Sequence, residues 1–191
     1  TPAAGAIYRD FLPVDLAPHL KEHGIGKTVL VQAAPSVAET DFLLGLAAET
    51  PWVGAVVGWV DFEDAAHRRH LERWSRQPKF RGVRPMIQDV ADERWVLRPS
   101  LAWAFDALRD LDLHFEFLGF PQHLEVARLL LERYPALPVV LDHGMKPRIR
   151  AQDFEPWATE IAVLARETTV LCKLSALVTE APPGWTLQDL K

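Results

Sequence analysis

Pro138-Val139-Val140-Leu141-Asp142-His143 is a short apolar run that stops abruptly on two polar residues. It is too short for a helix and apolar on both faces, as a strand covered on both sides must be. Five more runs share this form: residues 28–32 (TVLVQ), 53–61 (VGAVVGWVD), 80–84 (FRGVR), 114–117 (HFEF) and 169–173 (TVLCK). Their polar residues near the ends, Gln32, Asp61, Arg84, Glu116, His143 and Lys173, follow one another at steps of 23 to 32 positions. One strand plus one helix needs about that much chain.

Helical patterns fill most of the intervals. A helix is expected over 15–23, stopped by Gly24-Ile25-Gly26, and another from the cap Ser36 to before Thr50-Pro51. Further helices are expected over 64–75, around Leu101, Phe105, Leu108 and Leu111, and after Pro121 and Pro156. Residues 88–99 read as irregular. Alternating strand and helix implies a mainly parallel sheet. Gly24-Ile25-Gly26 precedes a strand instead of opening a helix, so it is not a phosphate-binding fingerprint. Polar residues at all six strand ends favour an α/β barrel with its functional groups at the carboxyl rim. Six strands do not close an eight-stranded barrel. The expectation is therefore a (β/α)8 TIM barrel lacking its first and last strands here, with residues 1–191 as a single domain truncated at both ends.

Composition narrows the function. Hydrophobic residues make up 49% and charged residues 25%, ordinary values for a globular chain. Twenty-one basic against 26 acidic residues give a net charge of −5, with no basic block. Nucleic-acid and membrane partners are disfavoured. The single cysteine, Cys172, has no intramolecular partner and reads as a buried thiol in a cytoplasmic protein. The amino end is loop-like, without a signal-peptide pattern. Thr186 and Asp189 have the spacing of a helix start.

His143 carries the most chemical information. Between Asp142 and Gly144, a neutral imidazole there could polarise a carbonyl, hold a metal or move a proton; a loop carbonyl could equally satisfy it. Arg84 offers a planar fork for a carboxylate or a polyhydroxylated substrate, while one of Arg81 and Arg84 is expected to make only a structural ion pair. Lys146 adds a cation at the same rim. Lys173 and Ser175 share a strand face. Glu116 is open as a base, a metal ligand or the partner of Lys173. Gln32 and Asp61 rank lower. His67 and His70, three apart on a polar helix, read as surface histidines. Cys-x-x-Cys, His-Glu-x-x-His and nucleophile-elbow motifs are absent from the sequence.

The strings VLVQAAPSVAETDFLL, VVGWVDFE, RGVRPMIQD, LPVVLDHGMKP and CKLSALVTEA resemble, in order, the amidohydrolase-related family of sugar-acid lactonases. This resemblance, to the fuconolactonase and rhamnonolactonase types, implies a hydrolase that opens an aldonolactone ring by water attack on the ester carbonyl. It implies His143 as the catalytic group, with Arg84, Lys146, Glu116, Lys173 and Ser175 on the substrate side. A divalent metal such as zinc, for which His143 could serve as a ligand, stays optional. The family's His-x-His strand and its closing aspartate strand do not occur in this sequence, which corresponds to strands 2 to 7. The expected general base thus lies outside it. A metal-assisted decarboxylase on the same barrel and a non-catalytic interaction piece, including a homo-oligomer, stay open as alternatives.

Overall fold

The structure, a computed structural model, describes residues 8–190. Residues 1–7 of the amino-terminal stretch read as loop-like lie outside it, as does Lys191. Six strands form one parallel sheet whose spatial order is the chain order: β1 (Thr28–Val31), β2 (Val53–Gly58), β3 (Phe80–Val83), β4 (His114–Phe117), β5 (Val139–Leu141) and β6 (Leu171–Cys172). The sheet is a curled half-barrel. Helices α1 (Pro13–Glu22), α2 (Val37–Glu49), α3 (Arg68–Trp74), α4 (Ala102–Asp110), α5 (Leu124–Arg133) and α6 (Trp157–Glu167) alternate with the strands, and a short α7 (Leu177–Glu180) follows β6. Among the described residues no helix is long and apolar enough to cross a membrane.

Local chemistry explains these boundaries. Ser36 Oγ accepts the Glu39 N–H at 3.1 Å, while the Glu39 carboxylate reaches back to the N–H groups of Ala33 and Ala34. That reciprocal cap starts α2 where the sequence places it. Residues 88–99 form short 3-10 turns instead of a helix. Thr186 is tied to the Asp189 carboxylate, but only a 3-10 turn, Leu187–Leu190, follows.

Alternation along the strands divides the sheet into two faces. Phe80, Phe115, Phe117, Val139 and Leu141 point outward and are buried beneath the helices. Phe115 meets Phe105 of α4 edge-on at 5.2 Å, and Phe105 meets Tyr134 at 5.1 Å. The opposite set, Val29, Ala55, Arg81, His114, Glu116 and Lys173, lines a hollow of about 450 Å³ inside the curl. Gly82 faces His114 across β3 and β4, and a Cβ there would overlap the His114 carbonyl oxygen.

Two expectations need correcting. Regular pairing in β6 ends at Cys172, so Lys173 and Ser175 do not share a strand face. Cys172 is exposed, because no further strand covers that edge among the described residues.

Candidate active site

Asp142 is the first residue after β5, and its side chain has no exposed surface. A carboxylate without water needs charge partners. It has two: Arg84 Nη1 at 2.9 Å on Oδ2 and Lys173 Nζ at 2.8 Å on Oδ1. Lys173 also meets Glu116 Oε2 at 2.5 Å, and Glu116 Oε1 lies 3.3 Å from His114 Nε2. A chain of alternating charge thus crosses the ends of β3, β5, β6 and β4. The Arg84 and Glu116 side chains are 11% and 3% exposed, while Lys173 retains 31%. Burial alone would raise the Glu116 pKa. Hydrogen bonds from His114 and Lys173, with the lysine charge, outweigh it and hold the carboxyl below its ordinary value.

Of the two arginines in Arg81-Gly82-Val83-Arg84, the ion pair belongs to Arg84. Among the described residues Arg81 bonds only the carbonyl of its neighbour Phe80, and it lines the hollow. Arg84 is fixed further: its N–H donates to Gly58 O at 2.9 Å, its Nη2 donates to Gln32 O, and Gln32 Nε2 returns a bond to Arg84 O. Gln32 is fully buried in this role.

Beyond Asp142 the backbone takes an uncommon course. His143, Gly144, Met145 and Lys146 all have positive φ, between 53° and 60°. Such a left-handed turn is costly for non-glycine residues and persists only where its surroundings enforce it. Gly144 N–H donates to Lys173 O at 3.0 Å, Trp157 Nε1 donates to Gly144 O at 2.7 Å, and the Met145 side chain is buried. The turn sets His143 Nδ1 2.8 Å from Ser175 Oγ. It also sends Lys146 Nζ to Gln88 Oε1, with the Phe120 ring 4.9 Å below the ammonium. Burial, and the positive charges of Lys146, Arg84 and Lys173, push the His143 pKa down against the pull of Asp142. The imidazole is therefore neutral at pH 7, with Arg84, Lys146 and Lys173 all in its neighbourhood.

All six residues singled out for chemistry thus gather at one rim, but in three groups: Arg84, Glu116 and Lys173 around Asp142; His143 with Ser175; and Lys146 with Gln88 and Phe120. Asp61 stays apart. Its Oδ1 accepts the Glu63 N–H, and its own N–H donates to His67 Nδ1. His67 and His70 pack edge to face at 5.0 Å beside Trp59 and Trp74. Among the described residues no three His, Cys, Asp or Glu side chains converge as metal ligands. Sequence reasoning missed His114, Gln88, Phe120 and Trp157. Only His114 carried a signal, since alternation in HFEF puts it on the Glu116 face.

The family model described as amidohydrolase matches residues 1–191. Over 178 residues the chain is 45% identical to an L-fucono-1,5-lactonase of Burkholderia ambifaria, covering 93% of this chain and 61% of that protein. The chain spans about three fifths of the length of the curated relatives it matches. A crystal structure of a Burkholderia multivorans amidohydrolase with bound HEPES superposes with a TM-score of 0.90 at 33% identity, covering 100% of this chain and 69% of that one. A second crystal form of it, with bound zinc, gives 0.88 at 34% identity over 99% and 69%. A 5-carboxyvanillate decarboxylase from Novosphingobium aromaticivorans, 15% identical with a TM-score of 0.60 over 84% of this chain and 62% of that one, shares the fold alone.

Proposed function

Because the chain belongs to the amidohydrolase family, we propose that the protein containing it hydrolyses a sugar-acid lactone at the rim built around His143. The observation that carries this reading is the 45% identity, across 93% of the chain, to a protein named for opening L-fucono-1,5-lactone. The geometry is compatible with it. A lactone is a neutral ester whose carbonyl oxygen gains negative charge when water adds to the carbon. Groups that donate to that oxygen, and that need no reorganisation to do so, lower the barrier.

In this reading Ser175 engages His143 Nδ1 and leaves Nε2 for the substrate. As the Nε2–H tautomer, a neutral imidazole donates a hydrogen bond to the developing oxyanion. Arg84 and Lys173, both paired with Asp142, fix that carboxylate and the strand end that leads into His143. Water supplies the new carbon–oxygen bond, the ring carbon–oxygen bond breaks, and the released alkoxide takes up a proton. The product is an open hydroxy acid in its carboxylate form. Asp142 and Glu116 are both held by cations, so neither is assigned to activate the water.

The described donors do not fit a metal on their own. Asp142 and Glu116 are committed to Arg84, Lys173 and His114, and His143 has no other ligand-type side chain grouped with it. The experiment is a panel of aldonolactones offered to the intact protein, with acid release followed by a pH indicator and L-fucono-1,5-lactone included. Turnover of one or more lactones supports the reading. Failure on all of them, with release of carbon dioxide from an aromatic acid instead, would sink it.

A further inference from the structure

The three cations nearest His143 are not equivalent. Arg84 is matched by Asp142, and Lys173 by Asp142 and Glu116, so two positive and two negative charges cancel. Lys146 makes no ion pair among the described residues. Its ammonium donates to the neutral amide oxygen of Gln88 and rests over the Phe120 ring. An amide oxygen and an aromatic face both stabilise a cation without neutralising it. An ammonium has three N–H donors, and Gln88 takes one of them.

This cradle is built from three strand ends. Gln88 lies in the turn Ile87–Asp89 after β3, where its N–H donates to Leu118 O at 3.1 Å. Phe120 follows β4, and its N–H donates to Nδ1 of the buried His123 at 3.0 Å. Lys146 follows β5 in the left-handed turn, its N–H bonded to His143 O at 2.9 Å. The ammonium is therefore held in place by groups from separate elements while its charge remains available.

We propose that Gln88 and Phe120 are positioning residues that keep Lys146 as an uncancelled positive charge, forming a subsite for the carboxylate of an open-chain aldonic acid. The subsite rests on the hydrolytic reading above and deepens it. A neutral lactone gains little from such a charge, whereas the carboxylate that appears on ring opening gains much. Lys146 thus discriminates product from substrate, and it sets how tightly product is held before release.

The test is calorimetric binding to the intact protein with two probes of one carbon skeleton, L-fuconate and the neutral polyol L-fucitol. Wild type should hold L-fuconate at least tenfold more tightly. Gln88→Glu keeps the side-chain length and still grips the ammonium but cancels its charge. It should lose about tenfold in L-fuconate affinity with L-fucitol unchanged, and the same substitution in a Lys146→Met background should have no further effect. A purely structural role for Gln88 predicts the reverse, since the carboxylate would hold Lys146 better. Gln88→Glu binding L-fuconate as tightly as wild type, or wild type binding both probes alike, overturns the subsite even if lactones are turned over. Selective L-fuconate binding without lactone turnover keeps the subsite and removes the lactonase reading.

Discussion

At the scale of single residues, two side chains carry opposite kinds of consequence. His143, the proposed catalytic group, makes its hydrogen bond to Ser175 at a partly exposed rim. His143→Ala in the intact protein should therefore lower lactone turnover about 100-fold or more, within the range of an acid–base or polarising group, and leave the melting temperature nearly unchanged. Near-normal turnover would remove His143 from the mechanism. The sign of the pH effect follows from its depressed pKa. The neutral form persists below the ordinary histidine value of about 6.5, so activity should hold through that pH and fall only on further acidification. An unfolded chain binds this proton more readily than the folded one, so the contribution of His143 to stability is fully present above about 6.5 and is lost as pH falls from there through its lowered folded value. Asp142 is the opposite case. Asp142→Asn would leave Arg84 and Lys173 facing each other with one carboxylate fewer, at a cost of about 3 kcal/mol. That is the low end of the range for breaking a buried pair, because Lys173 is 31% exposed. Urea titration measures it; a loss under 1 kcal/mol would mean that solvent screens this cluster.

At the scale of elements, the left-handed turn after β5 concentrates the strain. Its three non-glycine residues, His143, Met145 and Lys146, each cost about 1–2 kcal/mol in that conformation. Burial of Met145 and the indole bond from Trp157 on α6 offset part of this. Trp157→Phe keeps the ring and removes the N–H, so it should cost about 1 kcal/mol of stability and a larger share of turnover than of substrate binding. Equal losses in kcat and KM would mean that the bond only supports the fold. Gly82→Ala makes the complementary case on β3, where the new methyl group meets backbone that cannot rotate aside. A destabilisation of about 2 kcal/mol is expected in thermal unfolding. These two elements also mark what could be read in the sequence. Strand ends were legible because a buried strand puts its first polar residues at the rim, and alternation alone set Glu116 inside the curl. The turn was not, since Met and Lys carry no propensity for positive φ and a single His beside a glycine does not announce four such residues in a row. Nor was the choice among Arg84, Lys146 and Lys173 as carboxylate partners, because three cations at one rim differ only in distances that local pattern does not contain. Gln88 was hidden for a different reason: it lies in a stretch without periodicity, and its importance comes entirely from what Lys146 does.

At the scale of the whole molecule, the described sheet is apolar on its helical side and open on its inner side. Among the described residues both β1 and β6 are paired along one edge only. Val29 is 52% exposed, Leu171 67% and Leu174 87%, so the unpaired edges and the inner face present apolar side chains beside free backbone groups. An edge of this kind is a template for another chain. The 191-residue chain produced by itself should therefore associate as its concentration rises, with sedimentation velocity showing species above 21.5 kDa. Leu171→Lys places a charge where a partner strand would dock and should shift that distribution toward the monomer. The longer relatives, of which this chain covers about three fifths, have further chain that could occupy these edges. An intact protein should then stay at one association state over the same range, and Leu171→Lys in it should destabilise the fold instead of dispersing an assembly. If the 191-residue chain remains monomeric at every concentration, the edges are protected by the curl of the sheet itself, and the rim around His143 would be available for ligand binding without any added strand.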